Sequence, residues 1–202
     1  MQTAHRLISA AVLAVLAAPS FADTTTYTDS AAFLAGLSSP GYTEAFTGMA
    51  SPDGVAAFSG SGFSYTVSAA SGLYATGDFL GTNQIDEALT INFTSGNVTA
   101  VGGNFFVTNI SNDFQSVSVK LTLNDGTIAM FTPGSINDSF RGFSSTQTIS
   151  SLTFSAPGVS LYANLDNLTV GTVTAVPEPA SWALMGLGLV GMGAIARRRK
   201  AA

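Results

Sequence analysis

The chain has 202 residues, 46% hydrophobic and 9% charged, and no cysteine, so disulfides, thiolate metal sites and cysteine nucleophiles are excluded together. Its one histidine, His5, lies in an N-terminal segment expected to be removed, which takes histidine triads, imidazole-bound zinc and a histidine general base out of the mature chain. The formal net charge of −5 conceals an asymmetry: across residues 23–176 eleven acids face two bases, Lys120 and Arg141, a net of −9 that repels phosphate backbones and argues against a nucleic-acid partner.

Residues 1–22 read as a signal peptide. His5 and Arg6 give a short polar start, and residues 7–18 form an apolar run too short to cross a bilayer comfortably. Ser20 and Ala22 place small side chains where signal peptidase inspects them, so cleavage is expected after Ala22. Residues 23–175 are expected to form one exported domain, long enough to bury roughly two-thirds of its unfolded surface.

The spacing predicts one short helix over residues 31–37, capped by Asp29 or Ser30, with Phe33, Leu34 and Leu37 on one side. Everything after it reads as strand or loop, in short runs rich in Val, Ile, Phe and Thr separated by Gly, Asn, Asp and Ser. Strands are predicted near residues 43–46, 63–67, 98–108, 148–155 and 166–170. Leu89, Ile91 and Phe93 alternate with Thr90, Asn92 and Thr94, and Val117, Val119, Leu121 and Leu123 alternate with Ser118, Lys120 and Thr122; each run has one buried and one wet face. Asn124, Asp125 and Gly126 then turn the chain into a strand over 127–131, the strongest hairpin signal present. About ten short strands with one helix predict a mostly β, antiparallel two-sheet sandwich of jelly-roll type.

Candidate chemistry is sparse. Asp78, Asn83, Asp86 and Glu87 crowd one loop containing Gly77 and Gly81, the best acidic cluster for a calcium ion, and Asp166 with Asn167 offers paired oxygens at a sheet rim. The alternative for both is a solvated or turn-ending role, since neither has the spacing of an EF-hand loop. Glycoside hydrolysis needs two carboxylates, for which Glu44, Asp86 and Glu87 are the candidates; adjacent Asp86 and Glu87 would face opposite sides of a strand, and no pair stands out as catalytic. Tyr65, Tyr74 and Tyr162 are candidates for a sugar-stacking platform, against the alternative of half-buried core positions.

The C-terminal segment, residues 176–202, has the most specific pattern. Pro177 and Pro179 keep the chain extended and present Glu178; an apolar stretch over 180–196, roughly 25 Å as a helix, is just long enough to cross a bilayer; Arg197, Arg198, Arg199 and Lys200 then stop transfer and stay in the cytoplasm. Trp182 falls near the outer interface, where aromatic belts lie, and Gly186, Gly188, Gly191 and Gly193 permit close approach by another helix. The domain is therefore expected outside and the tail inside.

Val176, Pro177, Glu178, Pro179, Ala180 and Ser181, followed by this glycine-rich span and arginine cluster, resemble the PEP-CTERM sorting signal. The resemblance implies recognition of Pro177, Glu178 and Pro179 by an exosortase, a membrane enzyme that processes its substrates in Gram-negative bacteria making exopolysaccharide and biofilm. Residues 140–145, 149–154 and 165–170 also resemble the galactose-binding-like or lectin-like sandwiches that often precede this signal. The expectation is an exported, non-enzymatic surface or matrix protein, held transiently in the inner membrane and associated with exopolysaccharide. The alternatives are a calcium-dependent carbohydrate-binding module and a carboxylate-dependent polysaccharide hydrolase.

Overall fold

A computed structural model describes residues 23–52 and 54–174, together with Gly186 and Gly188, which are both helical. The signal peptide with its cleavage residue Ala22, the motif Pro177, Glu178 and Pro179, the rest of the expected span and the basic cluster from Arg197 to Lys200 lie outside the described residues. Among the described residues no helix is long and apolar enough to cross a membrane.

Among the described residues of 23–174, fourteen strands and one helix follow in order: β1 (Thr24–Tyr27), α1 (Ser30–Ala35), β2 (Tyr42–Glu44), β3 (Ala56–Gly60), β4 (Phe63–Ser68), β5 (Leu73–Ala75), β6 (Leu80–Thr82), β7 (Leu89–Phe93), β8 (Ala100–Thr108), β9 (Phe114–Gln115), β10 (Val119–Leu123), β11 (Ile128–Phe131), β12 (Phe140–Ser145), β13 (Ser151–Ser155) and β14 (Tyr162–Gly171). Every pairing is antiparallel. One sheet runs β1-β12-β8-β14-β6-β5, with β2 also on β14 and β9 also on β8; the other runs β11-β10-β13-β7-β4-β3. The two faces meet in one apolar core, to which Phe105, Val107, Leu165 and Leu168 come from the first sheet and Tyr65, Ile91, Leu121 and Phe154 from the second. The expected two-sheet antiparallel sandwich is therefore the observed architecture.

Period-two alternation explains which side chains enter that core. On β10 Val119, Leu121 and Leu123 are buried while Lys120 and Thr122 are half-exposed. The hairpin to β11 forms where expected: Gly126 adopts a left-handed φ of 88°, and Asp125 Oδ1 accepts from Thr127 N at 2.8 Å. On β8 Val101, Phe105 and Val107 point inward, which places Ala100, Gly102, Asn104, Phe106 and Thr108 on the outer face of the eight-stranded sheet.

β14 departs from strict alternation, because Leu165 and Leu168 both enter the core although they are three residues apart. A β-bulge between Asp166 and Thr169 adds the extra residue, with Asn167 at a left-handed φ of 50°. Without it every side chain after Asp166 would face the wrong side. The same irregularity divides the strand's free edge: Asn164 and Leu165 pair with β6, whereas Leu168 to Val170 pair with β2.

α1 is displaced slightly from expectation. Asp29 is the N-cap, its Oδ1 accepting from Ala32 N at 2.7 Å, and Gly36 ends the helix. Phe33 is 1% exposed and Leu37 packs beside it, but Leu34 is 47% exposed, contrary to the expected shared face. A six-residue helix lying across a sheet has one residue directly beneath it, and here that is Phe33. It sits on Gly102 and Gly142, where an added Cβ would come within 3.1 and 2.7 Å of its ring. Phe33, Ala100 and Phe140, flanked by Tyr27, Leu37 and Val173, make a second small core on the outside of this sheet.

Candidate functional site

At the other end of β8 from α1, the outer face of the same sheet opens into a cavity of about 190 Å³. Tyr74 reaches it from β5 and Tyr162 from β14, so two of the three suspected tyrosines are brought together by strands far apart in sequence. Tyr74 is 38% exposed and Tyr162 half-buried, leaving ring area available. The floor is polar: Asn164 and Thr108 are buried there, with Thr82 beside them.

The hydrogen bonds of this floor determine what it can offer. Asn164 Nδ2 donates to Thr108 Oγ1 and to the Tyr162 carbonyl, both at 3.0 Å. With both amide protons engaged, Oδ1 is the group left to interact, and it can only accept. Ala163 N donates to Thr82 Oγ1 at 3.2 Å. Thr82 and Thr108 thus accept from the protein while each keeps a hydroxyl proton to give. The amide fits because residue 81 is glycine: any Cβ at Gly81 would fall on Asn164 Oδ1.

The far wall is the turn between β8 and β9, carrying Asn109, Ile110 and Asn112. Asn109 Oδ1 accepts from Ser111 N at 2.9 Å and Asp113 N at 3.0 Å, which fixes the turn, and Asn112 adopts a left-handed φ of 63° that an asparagine tolerates. Ile110 is thereby held 79% exposed. Every residue lining the cavity is uncharged.

The acidic residues that are candidate calcium ligands make hydrogen bonds on the loops beside this cavity. Asp86, at a left-handed φ of 60°, accepts through Oδ1 from Val159 N at 2.9 Å and Ser160 N at 2.8 Å, pinning the loop that leads into Tyr162. Glu87 accepts from Ser71 N and Ser71 Oγ, two residues before the strand that carries Tyr74. Asn83 lines the cavity itself. Asp166 Oδ1 and Oδ2 accept from Asn167 N at 2.7 Å and Asn167 Nδ2 at 2.8 Å, so this pair closes the β14 bulge. Burial, assisted by the nearby charge of Asp78, raises the Asp166 carboxyl above its ordinary range against the pull of the Asn167 amide. Among the described residues no three side chains of the His, Cys, Asp and Glu types come together to hold a metal ion.

Glu44, a candidate catalytic carboxylate from its residue type, has both oxygens engaged by close sequence neighbours: Oε2 accepts from Tyr42 Oη at 2.6 Å and Oε1 from Phe46 N, just beyond β2, at 3.0 Å. Tyr65 is 1% exposed in the core, stacked on Phe58 with ring centroids 5.2 Å apart, so it offers no surface to a sugar. The contributors that sequence reasoning missed are Thr82, Thr108, the 109–112 turn and Asn164. For Asn164 a signal existed, since period two places it on the same face as Tyr162 once β14 is extended back from Asp166.

Residues 175–200 match the family of the PEP-CTERM protein-sorting motif. The chain thus carries the sorting signal that its C-terminal pattern resembles, and that motif implies an exported protein of Gram-negative type, sorted by way of the membrane and processed by an exosortase. No curated protein matches the chain. Among solved structures, an exo-β-1,3-galactanase from Phanerochaete chrysosporium aligns at 19% identity and a TM-score of 0.35, over 65% of this chain and 29% of the galactanase. The CBM22-1 xylan-binding domain of Paenibacillus barcinonensis Xyn10C aligns at 15% identity and 0.35, over 67% of this chain and 95% of that domain. The catalytic domain of Agl-KA aligns at 14% identity and 0.36, over 72% of this chain and 30% of its own. The chain spans less than a third of the galactanase, and likenesses of this size carry neither ligand nor reaction across.

Proposed function

We propose that this chain is a non-enzymatic surface or matrix protein that an exosortase processes at Pro177, Glu178 and Pro179 and that then associates with exopolysaccharide outside the cell. The match over residues 175–200 carries the reading, because a sorting signal serves a domain whose work lies beyond the inner membrane. Signal peptidase acts first, after Ala22, and the basic cluster from Arg197 to Lys200 holds the tail in the cytoplasm until release. The jelly-roll form of the sandwich accords with a chain that passes between sheets at successive strands, as from β7 to β8 and from β12 through β13 to β14. A binding or structural role is favoured over hydrolysis because Glu44, Asp86 and Glu87, the candidate catalytic carboxylates, are each held by hydrogen bonds to neighbouring groups.

The test is fractionation of the producing cells with mass spectrometry of the released protein. Mature chains beginning at Asp23 and ending near Pro179, recovered with the polysaccharide fraction, are expected. Deletion of residues 176–202 should send the domain into the medium or periplasm unsorted. Released protein with an intact C-terminus, or a deletion that leaves the distribution unchanged, overturns the reading.

A further inference from the structure

We infer that the cleft between Tyr74 and Tyr162 is a binding site for a neutral saccharide, one sugar ring deep and independent of any cation. The inference draws on the proposed function only for where the sugar is met; the binding chemistry rests on the cleft. A pyranose has an apolar C–H face, which an aromatic ring covers well, and a rim of hydroxyls that each donate and accept. The cleft offers both kinds of group: two tyrosine rings among its lining and, with them, two threonine hydroxyls able to donate beside an asparagine oxygen able to accept.

Charge selects among sugars. The lining is uncharged and the domain is strongly acidic, so a uronate or a phosphorylated sugar would lose its hydration without gaining a cationic partner. A cavity of about 190 Å³ lies below the roughly 300–1,000 Å³ of sites that enclose drug-sized ligands, which suits one ring of a longer chain rather than a buried oligosaccharide. Preorganisation is already present. Asp86 and Glu87 pin the segments leading to the two tyrosines, and Asn109 fixes the opposite turn, so little ordering is left for the ligand to impose.

Asp86 and Glu87 are accordingly positioning residues, holding the segments that carry the two tyrosines. The site would make the domain a cation-independent carbohydrate-binding module, with Asn83 of the acidic loop contributing to its lining.

The experiment is calorimetric titration of the full chain, kept in a zwitterionic detergent that contains no sugar, with neutral oligosaccharides of glucose, galactose, mannose and xylose and with an oligouronate, each with and without EDTA. At least one neutral oligosaccharide should bind saturably, equally well with chelator, and the oligouronate should not. Tyr74→Ala and Tyr162→Ala should each weaken binding about tenfold or more, as expected from losing a stacked ring. Glu44→Gln, away from the cleft, should leave it unchanged. Should Tyr162→Ala fail to fold, Tyr74→Ala decides, because that side chain is exposed on the edge strand β5. Absence of binding to every neutral sugar, binding that survives both tyrosine substitutions, loss with EDTA, or equal binding of the oligouronate overturns the inference. Fractionation reads sorting independently, so a failed titration with correct sorting sinks this site alone.

Discussion

Tyr42 and Glu44 leave β2 on the same side, and the phenol donates to the carboxylate at 2.6 Å. Burial first, then this hydrogen bond and the charge of Glu44, push the Tyr42 phenol from its ordinary value of 10.0 up to about 12. Tyr65 is pushed in the same direction, chiefly by its burial. A raised phenol means that the native chain keeps a proton which the unfolded chain releases. Stability from this source is therefore full below pH 10 and is lost as pH rises from there through about 12. Thermal midpoints measured between about pH 8 and pH 12 should fall steeply above pH 10, and Tyr42→Phe should make that fall shallower; an unchanged slope would contradict the coupling. Gly81 is a second decisive residue. Gly81→Ala forces the Asn164 amide off Thr108, leaving buried polar groups unpaired at a cost of about 1–3 kcal/mol, and a denaturation midpoint no lower than that of the parent chain would count against this account. At this scale the tyrosines were legible as aromatic residues in a polar setting. Of their neighbours only Asn164 carries a signal, through its period-two spacing from Tyr162, because Thr82 and Thr108 look in sequence like ordinary strand residues.

At the scale of elements, alternation did most of the work. β4, β7 and β10 are read directly from their apolar positions because one face of each enters the core and the other meets water. β1, β3, β5, β6, β9 and β12 were not predicted as strands; β5, β6 and β9, of two or three residues, are too short to display a period and form because a longer strand supplies the hydrogen-bonding edge. The bulge in β14 was likewise hidden: Asp166 and Asn167 suggest oxygen ligands, and only the pairing with β8 shows them resetting the register. α1 was legible through its cap and its phenylalanine, yet its docking depends on glycines 69 and 109 residues further along. Phe33→Ala should cost about 3–5 kcal/mol and expose the segment around α1 to protease under otherwise native conditions. Unchanged protection there would mean that the second core does not hold the helix.

For the whole molecule, the exported domain must hold together without disulfides and with only Lys120 and Arg141 to offset its acids. Arg141 stacks on Phe131, its guanidinium carbon 3.7 Å from the ring centroid, so part of this small positive complement braces β12 against β11. Self-repulsion among the remaining acids should be screened as salt rises from about 0.01 to about 0.15 M, where the Debye length falls from roughly 30 to 8 Å. The thermal midpoint is expected to rise over that range; a flat or falling trend would show that long-range repulsion does not limit stability. The amino-acid order alone revealed the sorting motif over residues 175–200, because its prolines, acidic residue, apolar stretch and cationic end are contiguous in the chain and need no fold to be recognised. It also determined the sandwich, because burial of one face imposes a period of two. The cleft was decided only in three dimensions: Tyr74 and Tyr162 are 88 residues apart, and pairing along the strand edges sets the distance between them.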